Sequence, residues 1–124
     1  MHSQVQIILE PFVRRQIFPT TEDAARRLAT DYVAKHIQTE QRKITRLERK
    51  HGMTFRKFEE YLHQRSKRLK SASLKPIEKK HLGRVIMDEE EDWFEWKAAS
   101  EMLDRWLTLK KDFDASKEKI SREK

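Results

Sequence analysis

Residues 4–11 read "QVQIILEP", and the fold depends on how this stretch is read. As an extended chain it alternates. Gln4, Gln6 and Ile8 fall on one face and Val5, Ile7 and Leu9 on the other, with three β-branched residues among the eight. Pro11 ends the run. The reading is a short N-terminal strand. A lone strand leaves backbone donors and acceptors unpaired, and the sequence offers no second one. Pairing with the same strand of another copy satisfies both, so the stretch implies a homodimer joined by a two-stranded ribbon.

The rest of the chain reads as helix. "PFVRRQIF" allows two turns. Thr20 or Thr21 caps a longer helix with Glu22 and Asp23 in its first turn, where the helix dipole favours acids. No Pro or Gly interrupts it before Gly52, so about 30 residues are available. Ala24, Ala25, Leu28, Ala29, Tyr32, Val33 and Ile37 give its first half a broad apolar face. Only Ile44 and Leu47 continue it, which predicts an exposed or partner-bound arm. Gly52 suits the end of this helix and Thr54 the start of the next, with Phe55, Phe58, Tyr61, Leu62 and Leu69 as its apolar side. "SASLKP" reads as a linker. "IEKKHLGRVI" is ambiguous because of Gly83, and the last clear helix is predicted from near Asp88 to Phe113. The fold class is thus mainly α: one short intermolecular strand followed by four or five helices, one of them long. Residues 1–51 are expected to form a dimerisation and DNA-binding part that includes the long helix, 52–113 a helical partner-binding part and 114–124 a flexible tail.

Composition narrows the function. The 124 residues carry 40% charged side chains and no cysteine, which excludes disulfides and thiolate metal sites. No run approaches the roughly 18 apolar residues of a membrane span, and the N-terminal stretch carries charges that a signal peptide core lacks. A cytoplasmic protein with no membrane contact is expected. His2, His36, His51, His63 and His81 have no metal-ligand spacing, and no phosphate loop or nucleophile motif is present. Neither catalysis nor a cofactor or metal is expected.

The net charge of +7 hides a division. Residues 1–87 hold 20 Lys/Arg against 9 Asp/Glu, whereas residues 88–124 hold 8 against 12. The change of sign coincides with "DEEEDWFEW", residues 88–96. There Asp88, Glu89, Glu90, Glu91 and Asp92 run into Trp93, Phe94 and Trp96. On a helix Trp93 and Trp96 share a face, while Phe94 lies about 200° from Trp96. These eight residues are the candidate contact with a basic protein partner.

Strand, short helix, turn and longer helix is also the order of the ribbon-helix-helix fold, whose paired strands enter the DNA major groove. On that reading Gln4, Gln6 and Ile8 face DNA, Arg14, Arg15, Arg26 and Arg27 meet phosphates, and Val5, Ile7, Leu9, Leu28, Tyr32 and Val33 form the dimer interface.

Residues 46–107 resemble small prokaryotic antitoxin-like proteins. "LERKHGMTFRKFEEYL" is similar to their "KYGMSFEEFE" element, and "EEDWFEWKAASEMLDRW" to their "EDYFEWEAL" element, although Arg56, Lys57 and the 63–75 stretch are more basic than in that family. The resemblance implies an antitoxin that binds and neutralises a cognate toxin, often a ribonuclease. Such proteins often repress their own operon through an N-terminal element that binds operator DNA. The alternatives are a stand-alone DNA-binding regulator and a helical scaffold or adaptor subunit of a larger complex.

Overall fold

The computed structural model describes the backbone of residues 3–71 and 73–123, and side chains as far as residue 119. Among the described residues four helices follow one another: α1 (Gln4–Arg14), α2 (Thr21–His51), α3 (Phe55–Leu69) and α4 (Pro76–Glu123).

The expected N-terminal strand is absent, because Gln4–Arg14 is helical. Two features decide this. Ser3 and Gln6 form a capping box: the Gln6 backbone N–H donates to Ser3 Oγ at 3.2 Å, and the Ser3 N–H donates to Gln6 Oε1 at 3.1 Å. In addition Val5, Ile8, Leu9, Phe12 and Val13 fit the helical period, so one apolar stripe forms where two strand faces were read. Pro11 does not end the element but lies inside it. The backbone of α1 is satisfied internally, so the ribbon is lost and with it the pairing argument for a dimer.

After α1 the chain reverses through a Schellman motif. Gln16 takes φ 61°, Gln16 N donates to Val13 O at 3.0 Å, and Ile17 N donates to Phe12 O at 2.9 Å. Phe12 and Phe18 then pack with ring centroids 6.0 Å apart. Thr20 caps α2 by accepting from Asp23 N at 3.1 Å, and Gly52 ends it in the left-handed region, φ 64°. Thr54 caps α3 through the Lys57 N–H.

The last helix begins well before Asp88. Pro76 occupies its first position, the place in a helix that a proline suits. Glu78 reaches back to accept from Lys75 N at 3.3 Å. Gly83 is carried in its interior, and the stretch expected as a loose tail is helical as far as Glu123. Its 48 residues make a spine of about 72 Å.

Both α2 and α3 run antiparallel to this spine. Along α2, Lys50 meets Asp92, Arg46 meets Glu95, and His36 stacks on Trp106. Along α3, Glu59 meets Trp93 and Arg65 meets Glu89. The two helices overlap at the middle of α4, where Leu47, Phe58, Leu62 and Trp96 form the core, with Ile44, Met53, Phe55, Tyr61 and Trp93 packed around it. The second half of α2 is therefore covered by α4 and is not an exposed arm: Leu47 is fully buried.

Candidate functional site

The turns of α4 from Met87 to Trp96 sort their side chains by the side of the helix on which they fall. Trp96 points inward and is 1% exposed. Its ring stacks on Phe58 with centroids 5.5 Å apart and lies 5.5 Å from Phe55. Trp93 is half-buried, stacks on Phe55 at 6.2 Å and donates its indole N–H to Glu59 at 3.2 Å. Both tryptophans thus belong to the chain's own packing.

Three acids of this region also face inward, each toward a cation. Asp92 Oδ2 lies 2.7 Å from Lys50 Nζ and 2.8 Å from His51 Nε2. Burial pushes the Asp92 carboxyl upward. The hydrogen bonds and charges of Lys50 and His51 outweigh that and hold it below its ordinary value. Glu89 lies 3.2 Å from Arg65, an ion pair without a well-aligned hydrogen bond, and Glu95 pairs with Arg46. The basic last turns of α2 and this acidic stretch of α4 therefore neutralise one another.

The opposite side of the helix is different. Glu90 and Glu91 on that side, and Asp88 on the flank about 80° from Trp96, are exposed and make no ion pair among the described residues. Met87 is 67% and Phe94 64% exposed. These two stand seven residues apart, on the same side of α4 and about 160–180° from Trp96. Phe94 keeps one aromatic neighbour, the Trp93 ring, edge-on at 4.9 Å. The result is an apolar strip set among unpaired carboxylates. Such a surface presents apolar contact area together with negative charge. The histidine–carboxylate pair His51–Asp92 has its ring packed 4.2 Å from Phe58, with Lys50 as the second cation on the same carboxylate. Among the described residues no three potential ligands converge to hold a metal ion.

The residues expected to read DNA stand on or beside helices α1 and α2 and not on a ribbon. Gln6 is occupied by the capping box, Gln4 and Ile8 are exposed on helical turns, and Arg14 and Arg15 lie at the end of α1. Arg26 and Arg27 sit beside Asp23 and Asp31 of their own helix, at 4.0 and 3.2 Å. Repression of an operon through a Gln4/Gln6 ribbon has no structural basis. Of the expected dimer residues, Leu9 and Val33 are buried within the chain, whereas Val5, Ile7, Leu28 and Tyr32 are exposed. Sequence reasoning missed Lys50, His51, Arg46 and Arg65 as partners of the acidic stretch. The available signal was the run of basic residues just before Gly52, opposite in sign to residues 88–92.

Comparison with protein-family models, with curated proteins and with solved structures finds no match. Among the described residues no helix is long and apolar enough to cross a membrane.

Proposed function

We propose that the chain is a non-enzymatic, cytoplasmic binding subunit of the antitoxin kind, which holds a basic protein partner on the outward strip of α4. The observation that carries this reading is the exposure of Met87 and Phe94 amid Asp88, Glu90 and Glu91. A large aromatic exposed beside unpaired charge of one sign has the makings of an interface anchor with electrostatic steering. The antitoxin resemblance of residues 46–107 names the class of partner: a toxin, ribonuclease by type, whose basic substrate groove the acidic strip covers.

The test is calorimetry with the purified product of the adjacent reading frame. Phe94→Ala is expected to weaken binding by about 2 kcal/mol, roughly 30-fold in Kd. Glu90→Gln with Glu91→Gln is expected to slow association and flatten its salt dependence. A folded Phe94→Ala protein that binds as tightly as the wild type overturns the assignment of the strip.

We also propose self-association through α1, because Val5, Ile7 and Ile8 are 60%, 58% and 67% exposed on an 11-residue helix. Light scattering is expected to show a dimer that Val5→Asp dissociates; a wild-type monomer at all concentrations overturns it.

A further inference from the structure

Between Tyr61 and Met87 the chain has eight Lys/Arg and one acid, a net +7 that equals the charge of the whole molecule. The remaining residues hold 20 Lys/Arg and 20 Asp/Glu. In space this segment is the hairpin made by the second half of α3 and the first three turns of α4, at one end of the spine. Arg65 is paired with Glu89. Lys67, Arg68, Lys70, Lys75, Lys79, Lys80 and Arg84 make no ion pair among the described residues, and all but the half-buried Lys79 are exposed. The contrast with the middle of the molecule is sharp, since there the inward-facing acids and cations neutralise one another. A cluster of seven unpaired cations repels itself, and a polyanion relieves that repulsion.

We infer that the α3–α4 hairpin is a surface for duplex DNA, engaging its phosphates without reading its bases. Three observations select this polyanion. Among the described residues the hairpin has no exposed Phe, Tyr or Trp on which single-stranded bases could stack, since Tyr61 is half-buried under the Arg65 guanidinium at 5.0 Å and only the smaller His63 and His81 imidazoles are exposed. Its exposed large apolar residues are Ile77 and Met87, ten positions apart, so it offers no apolar face to enter a bilayer. Five of its seven unpaired cations stand on α3 and α4, with Lys70 and Lys75 at the helix ends, and a helix fits the major groove of B-form DNA but not the narrow one of duplex RNA. The surface is distinct from the Met87–Phe94 strip, so the inference stands or falls independently of the protein partner.

The experiment is fluorescence anisotropy of the full chain with labelled duplex DNA of about 20 base pairs. If about four phosphates are neutralised, affinity falls roughly 150-fold between about 50 and 200 mM salt. The combined variant Lys75→Gln, Lys79→Gln, Lys80→Gln, Arg84→Gln is expected to lose at least about tenfold in affinity and most of that salt slope. Lys67→Gln, Arg68→Gln, Lys70→Gln tests the α3 side and is expected to act in the same direction. A control of equal charge loss on α2 and distal α4, Lys35→Gln, Arg42→Gln, Lys111→Gln, Lys119→Gln, is expected to change affinity less than about threefold. All these residues except the half-buried Lys79 are exposed, and circular dichroism checks that helix is retained. Absence of binding at low salt overturns the inference, as does an equal loss in the control. Equal or tighter binding of single-stranded DNA, duplex RNA or phosphatidylserine-containing vesicles also overturns it.

Discussion

Replacing Asp92 by Asn removes one negative charge from the place where α2, α3 and α4 meet. The carboxylate is 13% exposed and contacts two cations of unequal weight. Lys50 is 55% exposed, so water screens that pair and it contributes at most about 1 kcal/mol. His51 is 11% exposed, and a hydrogen bond to a charged group in such a site is worth about 1.5–3 kcal/mol. Asn keeps an acceptor oxygen for the His51 N–H and so retains part of this. The expected loss near neutral pH is about 2 kcal/mol, measured by urea denaturation followed by circular dichroism. The pH dependence supplies a second readout. The folded-state pKa of Asp92 is depressed, so its contribution is complete above the unfolded value and is lost as pH falls through the folded one. The difference between wild type and Asp92→Asn should therefore be level above about pH 5 and shrink as pH falls below about pH 4. Equal stability of the two proteins at neutral pH, with superimposable acid limbs, refutes this account of the junction.

Two glycines should respond in opposite directions in thermal melts. A Cβ at Gly83 meets nothing within 4 Å and the backbone there is helical, so Gly83→Ala should stabilise by about 1 kcal/mol. Gly52 has φ 64°, so Gly52→Ala should destabilise by about 1 kcal/mol despite equally open space. Gln16 bears the same left-handed strain without being glycine. Gln16→Gly relieves it but loosens the unfolded chain, leaving a net gain on the order of 0.5 kcal/mol in urea titrations.

The helices α2 and α3 were legible in the sequence because their signals are local. Thr20, Gly52 and Thr54 are caps whose chemistry acts within one turn, and Phe58 and Leu62 follow the helical period. The N-terminus was misread because "QVQIILEP" satisfies both periods, and the deciding partner, Ser3, lies just outside the alternating run. Gly83 obscured the start of α4, since a glycine's helical cost is local while its compensation comes from packing along the neighbouring helices. The candidate site was half legible. Helix geometry alone separated Phe94 from the Trp93/Trp96 face. Which acids turn inward depends on the register of α4 against Lys50, His51 and Arg65, a long-range property that spacing does not encode.

The central claim is that one acidic, aromatic stretch has two sides, an inner one that holds the fold and an outer one left free to bind. Unfolding free energies of Trp96→Ala and Phe94→Ala, measured side by side by urea denaturation, test it most directly. Trp96 is 1% exposed and packed on Phe55 and Phe58, so its truncation should cost about 3–5 kcal/mol. Phe94 is 64% exposed with one ring contact, so its truncation should cost less than about 1 kcal/mol. Comparable losses in the two proteins, or a larger loss for Phe94→Ala, contradict the account.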